Sequence, residues 1–373
     1  MVEDGRFEIF LVAAPGLEAA LAAEARARGF SDATAIAGGV TLSGGWADVW
    51  RANLAIRGAT RVIARIGSFR ALHLAQLDKR ARRLPWADVL RTDVPVRVEA
   101  TCKSSRIYHS GATAQRIARA INETLGTPIE RDAYVTVMAR IEDDLCTIGV
   151  DTSGEILHKR GHKEAVNAAP MRETMAAMFL ALCGYQGSEP LVDPMCGSGT
   201  FVIEAAEMAA GLKPGRSRDF AFEQLATFDA AAWAAMRAGS DKRAASPAFR
   251  LYGSDRDGSA IAMSRANAAR AGVGDLTAFR QCPVSELERP EGPSGLVIVN
   301  PPYGTRLGEA ARLKPLYRAL GQTLLDRFSG WRVGLITSAP DLARATGLPL
   351  KPPSAPVPHG GIRVRLYQTD PLG

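Results

Sequence analysis

The chain reads as an α/β protein, with an open, mostly parallel, doubly wound sheet in its C-terminal half and a smaller α+β region before it. Three observations predict this. Residues 191–204 run from a short apolar strand, Leu191-Val192-Asp193, through a loop holding Gly197 and Gly199 into an apolar-periodic helix. Open α/β sheets build ligand sites in this way, at the carboxyl ends of their strands. Residues 296–304 repeat the arrangement: the strand run Leu296-Val297-Ile298-Val299 ends in Asn300-Pro301-Pro302-Tyr303. The first 60 residues alternate strand and helix patterns in short lengths, which suits a small α+β unit.

The totals bound the rest. At 373 residues, 46% hydrophobic and 23% charged, the composition suits an ordinary globular chain of two or three domains. No run of about eighteen apolar residues exists, so no transmembrane helix is expected. The start, Met1 to Arg6, lacks the basic-then-apolar form of a signal peptide. The five cysteines (Cys102, Cys146, Cys183, Cys196, Cys282) are scattered and form no Cys-x-x-Cys pair. A cytoplasmic, reduced protein with no disulfide framework, no zinc site and no membrane contact is expected. Net charge is +7, yet residues 51–119 hold fifteen Lys or Arg against four acids. Phosphate-backbone binding requires such a basic segment; a solvated arginine surface would have the same composition.

The loop after Leu191 narrows the ligand. Gly197 and Gly199 let backbone approach a bound group closely, and the helix beginning near Thr200 offers unpaired N–H groups. A dinucleotide fingerprint needs a third glycine where Val202 stands, and a P-loop needs a Lys-Ser or Lys-Thr pair that is absent. Asp193 at the loop entrance would repel phosphate and attract a cation. A ligand carrying an ammonium and a sulfonium fits, which points to S-adenosylmethionine (SAM); a tight strand–helix turn with no ligand is the plain alternative. The second anchor complements it. Pro301 and Pro302 fix φ and remove two donors, so the Asn300 side chain and the Pro301 carbonyl can be held as acceptors. They would grip an amine on a flat base while Tyr303 stacks on the ring.

Asp193-Pro194-Met195-Cys196-Gly197-Ser198-Gly199-Thr200 together with Asn300-Pro301-Pro302-Tyr303-Gly304 resembles the THUMP-domain RNA methyltransferases, in particular those that methylate the N2 amine of guanosine in 23S rRNA. Ala14-Pro15-Gly16-Leu17-Glu18, Gly38-Gly39-Val40 and Leu157-His158-Lys159-Arg160-Gly161 extend the resemblance over most of the chain. It implies a ferredoxin-like region at 1–58, a THUMP RNA-binding domain at 59–153, a linker at 154–164 and a Rossmann-like SAM methyltransferase domain at 165–373.

Taken in order, the elements follow from pattern. Phe7–Val12 is a strand, and Leu17–Gly29 a helix closed by glycine. Thr34–Leu42 is a strand interrupted at Gly38-Gly39, and 46–56 is helical. Arg61–Phe69 is a strand. Leu72–Leu84 is a helix ending in Lys79, Arg80, Arg82 and Arg83, where cations suit the dipole. Val94–Ala100 alternates as a strand. A basic loop with Lys103, Arg106 and Tyr108 leads into helix 112–125, which carries Arg116 and Arg119. Residues 134–141 and 145–151 form a hairpin across Glu142-Asp143-Asp144. The cations named, with Tyr108 as a base-stacking platform, form the expected RNA contact; Tyr108 as a packed edge residue is the plain alternative.

Thr174–Leu182 is a helix. The resemblance places Pro170, Glu173 and Thr174 beside the methionine end of SAM; a helix N-terminus with Pro and an early acid would also use those residues. Residues 205–248 form a long insertion, expected to cover one edge of the sheet. Residues 250–254 form a strand ending at Asp255, the expected ribose ligand, followed by Arg256 and a helix over 258–271. Residues 276–281 form the next strand. Relatives place an adenine-binding Asp at its end, where this chain has Pro283, with Ser285 or a backbone N–H as substitute. Arg306 and Arg312 flank the second anchor. Residues 314–328 are helical, 331–337 a strand, 346–361 Pro- and Gly-rich, and Ile362–Gln368 the last strand, antiparallel. The expected cofactor contacts are thus Pro170, Glu173, Thr174, Asp193 to Thr200, Asp255, Arg256, Pro283 and Asn300. The catalytic loop is Asn300 to Tyr303, with no metal. Cys196 reads as a small loop-lining residue rather than a nucleophile. Alternatives within the class are tRNA guanosine, adenine N6 or glutamine N5; outside it stands an RNA assembly factor that holds SAM without turnover.

Overall fold

A computed structural model describes residues 5–164, 171–244, 247–304 and 309–373. Pro170 and Arg306 lie outside the described residues. The chain divides into two compact units, one built from residues 1–13, 25–157 and 218–239, the other from 14–24, 158–217 and 240–373.

The N-terminal half supplies β1 (Phe7–Val12), α1 (Glu18–Ala27), β2 (Thr34–Ile36), β3 (Gly39–Gly44), α2 (Trp46–Ala55), β4 (Arg61–Arg70), α3 (Leu74–Ala81), β5 (Val96–Lys103), α4 (Ser110–Leu125), β6 (Val135–Glu142) and β7 (Leu145–Asp151). Its strands form one seven-stranded sheet, ordered β2-β3-β1-β4-β7-β6-β5. Among the described residues of this sheet, only strands β5 and β6 pair in parallel. The sheet does not break between the expected ferredoxin-like and RNA-binding regions, because β4 pairs with β1 on one side and β7 on the other. The expected interruption at Gly38 is a hairpin turn: Gly38 has φ +82° and β2 folds back on β3. The β6–β7 turn places Asp143 and Asp144 at φ 50° and 63°, a left-handed pair that short acidic side chains tolerate.

The second unit carries α5 (Glu173–Leu182), β8 (Leu191–Asp193), α6 (Thr200–Ala209), β9 (Leu251–Asp255), α8 (Gly258–Arg270), β10 (Thr277–Gln281), β11 (Leu296–Val299), α9 (Glu309–Arg327), β12 (Arg332–Thr337), α10 (Pro340–Ala345), β13 (Val357–His359) and β14 (Ile362–Gln368). The sheet order is β10-β9-β8-β11-β12-β14-β13. β8 to β12 pair in parallel, and β14 runs antiparallel to β12. The order reverses between β8 and β11, so the two loops singled out in the sequence leave adjacent strands at the switch point. Under one face lies a core of Val192, Val297, Val299, Tyr317, Leu324, Phe328 and Trp331, with the Phe328 and Trp331 rings edge-on at 5.5 Å.

Two expectations are corrected. Residues 218–239, including α7 (Ala230–Arg237), belong to the first unit rather than to the unit that holds the parallel sheet. Phe220 and Phe222 stack at 5.1 Å, Trp233 meets Phe222 edge-on at 4.9 Å, and Trp50 lies 6.0 Å from Phe222. Arg218 is fixed by the carbonyls of Ser153, Glu155 and Ile156. Such aromatic burial draws an insertion wherever a partner for it exists. Helix α9 also starts five residues before the expected Lys314, and Pro315 sits inside it.

Candidate functional site

The glycine-rich loop is held by its neighbours before any ligand is considered. Cys196 N–H donates to the Ser254 carbonyl at 2.9 Å. Gly197 N–H donates to Asp255 Oδ2 at 3.1 Å, and Asp257 N–H to Asp255 Oδ1 at 3.0 Å. From α8, Ser264 Oγ donates to the Gly197 carbonyl at 2.9 Å and Asn267 Nδ2 to the Ser198 carbonyl at 3.1 Å. Gly199, at φ +86°, caps α6. A Cβ there would lie 3.0 Å from Ser264 Oγ, so the position is closed to larger residues both sterically and by its backbone. Asp255 therefore holds the loop through Oδ2 and its own turn into α8 through Oδ1, while remaining partly exposed at the end of β9.

The charged groups around this loop are unevenly solvated. Asp193 is 2% exposed. Burial pushes its carboxyl up to about 8; the Met195 N–H bond opposes the shift and the charge of Asp255 adds to it. Pro194 and Met195 continue the turn, and Met195 packs on the core below. The Cys196 thiol is pushed well above its ordinary value by burial, then by Asp193. A thiol held protonated is no nucleophile. Arg256 follows Asp255 in the turn before α8, and Gln281 Nε2 donates to its carbonyl at 3.1 Å. Cys282 N–H donates to the Asp255 carbonyl at 3.0 Å, bringing the exposed Pro283 beside the end of β9, with Ser285 exposed two residues on.

At the end of β11, Asn300 presents a buried Oδ1 with no hydrogen-bond partner among the described residues. A buried unpaired acceptor is costly, and such exceptions mark places where a partner is missing. The loop around it is braced. The Tyr317 hydroxyl, fully buried on α9, donates to the Pro302 carbonyl at 3.2 Å and also lies 3.3 Å from Thr337 Oγ1. The bond goes to Pro302 rather than to Pro301. Half-buried Tyr303 packs on the same core. Burial raises its hydroxyl pKa, and a hydrogen bond with the Asn300 side chain opposes this.

One participant was invisible in the sequence. Lys163 lies in the stretch read as linker, yet its side chain is 10% exposed. Its Nζ donates to Thr200 Oγ1 at 2.8 Å and to the Met171 carbonyl at 3.0 Å, and pairs with Glu173 Oε1 at 3.2 Å. Nearby, Arg160 pairs with Glu204 on α6, at 2% and 1% exposure. The buried Glu204 and Glu207 are three residues apart, one helical turn, a spacing that could have hinted at cationic partners. Thr174 is buried in the first turn of α5.

The expected RNA contacts fall into two sets. Arg82 is tied to Asp78 and Glu123, Arg119 to Glu123, Lys103 to Glu142, and Arg80 to the Arg70 carbonyl. Lys79, Arg83, Arg106 and Arg116 are exposed and make no ion pair among the described residues. Tyr108 is 83% exposed, so it is not a packed edge residue. Acids outside the basic segment, Glu8, Glu123, Glu142 and Asp151, neutralise part of its excess. Among the described residues no cluster of three or more His, Cys, Asp or Glu could hold a metal, and no helix is long and apolar enough to cross a membrane.

Sheet order, glycine-rich loop and Asn-Pro-Pro-Tyr loop define a Rossmann-like methyltransferase domain. Residues 160–351 match the family described as UPF0020, RMKL-like, methyltransferase domain. Residues 8–63 match the RlmL ferredoxin-like domain. The chain belongs to the RMKL-like methyltransferase-domain family. It is 35% identical over 366 residues to the ribosomal RNA large subunit methyltransferase K/L of Chromohalobacter salexigens, covering 93% of this chain and 50% of that protein; the chain thus spans about half the length of that curated relative. A predicted N6-adenine-specific DNA methylase from Listeria monocytogenes is 32% identical, with TM-score 0.87 over 97% of this chain and 96% of its own. SMU.472, described as a methyltransferase and solved with SAH, is 27% identical, with TM-score 0.89 over 99% of each chain.

Proposed function

We propose that the chain transfers a methyl group from SAM to the exocyclic N2 amine of a guanosine in 23S rRNA. The observation that carries this reading is the buried, unpaired Asn300 Oδ1 at the switch point of the sheet, one strand away from the glycine-rich loop. The residues present fit SAM: a glycine-rich loop without a phosphate-binding fingerprint, and Asp255 at the end of β9 for ribose; Asp193, buried and with its carboxyl pushed up to about 8, does not supply the loop-entrance charge expected from the sequence. SAM supplies the methyl group. The relatives named for methylation of ribosomal RNA and for binding SAH support the same assignment.

The N2 amine is a weak nucleophile because its lone pair is shared with the ring. Asn300 Oδ1 and the Pro301 carbonyl accept from it and shift density onto nitrogen, while Tyr303 stacks the base. Acceleration is then largely positioning. A base in structured RNA must leave its stack to reach this loop. The first unit provides the RNA contact, through Lys79, Arg83, Arg106, Arg116 and the exposed Tyr108. Adenine N6 is the second reading, because the same acceptors grip that amine and one relative is named for it.

The test uses purified protein, radiolabelled SAM and total RNA from a strain lacking this gene, followed by nucleoside mass spectrometry. N2-methylguanosine in 23S rRNA supports the reading. Label in tRNA, or as N6-methyladenosine, moves the substrate, and no label in any RNA with SAM bound favours the assembly-factor alternative.

A further inference from the structure

The connection from β10 to β11 runs over residues 282–295 and contains one short helical turn, Val284–Glu286. A parallel crossover usually lays a full helix on the sheet face. Here the segment Leu287 to Pro290 passes over that face and leaves a hollow of about 320 Å³ against β8, β9 and β10, a volume that suits a small ligand. Val192, Tyr252 and Ala278 are register partners on the three strands and form its floor. Ser254 and Arg280, two residues further along, share the same face. Ser254 is 4% exposed, and its Oγ has no hydrogen-bond partner among the described residues. A buried polar atom left in this state is costly. Arg280 and Glu288, paired at 2.6 Å and both exposed, stand at the mouth.

The hollow is separate from the methyl-transfer centre. Among the described residues, none that lines it belongs to the glycine-rich loop or to the Asn-Pro-Pro-Tyr loop. Arg289, in its wall, donates to the Ser329 carbonyl at 3.3 Å, just before β12. That contact lies at the amino ends of the parallel strands, whose carboxyl ends carry the two loops. The walls are largely apolar, with Tyr252, Phe279 and Leu287 among them, and Ser254 supplies one buried hydroxyl. A nucleobase has several polar edge groups and would leave most of them unpaired there. A flat, mostly apolar ring system with a single N–H matches what the walls offer. We propose that this hollow binds a bicyclic aromatic molecule of the indole class, its ring over Val192, Tyr252 and Ala278 and its N–H donating to Ser254 Oγ.

The experiment titrates the full chain with indole and with indene, the same frame without the N–H, by ligand-observed NMR. The wild type is expected to bind indole more tightly than indene. Ser254→Ala is expected to weaken indole about fivefold, the size of one neutral hydrogen bond, and to leave indene within about twofold. Equal weakening of the two probes overturns the inference, as does failure of the wild type to bind indole at millimolar concentration. If Ser254→Ala does not fold, Ala278→Leu fills the floor instead. It is expected to abolish indole binding and to keep S-adenosylhomocysteine affinity within about twofold by calorimetry; undiminished indole binding, or equal loss of both ligands, overturns the inference. Adenine binding more tightly than indole makes the hollow a nucleobase pocket and also overturns it. An apparent Kd for indole that rises in proportion to S-adenosylhomocysteine without limit is direct competition and places the hollow inside the cofactor site, against the inference; a constant or plateauing value supports a separate site. Indole binding by a chain that does not bind S-adenosylhomocysteine would overturn the SAM assignment and leave this inference standing.

Discussion

In the first unit, Asp78, Arg82, Glu123 and Arg119 form a chain of pairs on α3 and α4, with side chains between 20% and 62% exposed. In the second unit, Arg160–Glu204 and Lys163–Glu173 surround the start of α6 at 10% exposure or less. The chemistry of the pairs is the same and their consequences are opposite. Exposed pairs gain little and are screened by salt, so the first unit can exchange its partners for phosphates. Buried pairs punish the loss of either member, so the second unit uses them to fix atoms. The basic surface is adaptable, and the start of α6 is built rigidly.

The comparison can be broken at several points. Asn300→Ala has the largest expected effect, a fall in methyl transfer of about a hundredfold or more, since a group acting mainly in the transition state typically costs this much when removed; single-turnover label transfer measures it, with folding checked by circular dichroism. Glu204→Ala removes the carboxylate facing Arg160 and is expected to cost about 3–5 kcal/mol of stability in urea unfolding. Arg119→Ala in the first unit is expected to leave the unfolding midpoint unchanged. A stability loss in Arg119→Ala as large as in Glu204→Ala would remove the distinction.

Asp193 sharpens it through pH. Its carboxyl is raised by burial from 3.8 to about 8. The stability gained by burying it neutral is therefore full below the lower value and is lost as pH rises through the higher one. Asp193→Asn, neutral throughout, is expected to flatten the decline in stability between about pH 4 and about pH 8. An unchanged slope would mean that Asp193 is ionised in the folded chain. The smallest expected effect is on RNA affinity. Arg116→Ala should reduce the slope of log affinity against log salt by about one, and Arg119→Ala, whose charge Glu123 already matches, by less. Equal slopes in the two variants would mean that the pairs on α4 do not govern phosphate contact.

Much of the fold was legible because it is local. The strand–loop–helix at 191–204 and the strands at 145–151 and 362–368 carry their own apolar periods and turn residues. The site's two loops were legible because glycine and proline constrain backbone wherever they occur. Lys163 was not, because nothing beside it in sequence shows that Thr200 and Glu173 lie within reach of its ammonium. Residues 218–239 were misplaced for the same reason: Phe220, Phe222 and Trp233 reveal a need for burial, and Trp50, far away in sequence, decides where. The free and matched arginines on α3 and α4 have the same composition, and only the positions of Asp78 and Glu123 separate them.

The central claim is that the second unit performs the transfer while the first unit holds RNA. It is tested most directly by measuring kcat and KM for 23S rRNA at two salt concentrations. The measurement uses wild type, Asn300→Ala, and a Lys79→Ala, Arg83→Ala, Arg116→Ala triple variant. The account predicts that Asn300→Ala loses kcat and keeps the KM for RNA, while the triple variant keeps kcat and raises KM, more so at higher salt. Methylation by Asn300→Ala at the wild-type rate would contradict it.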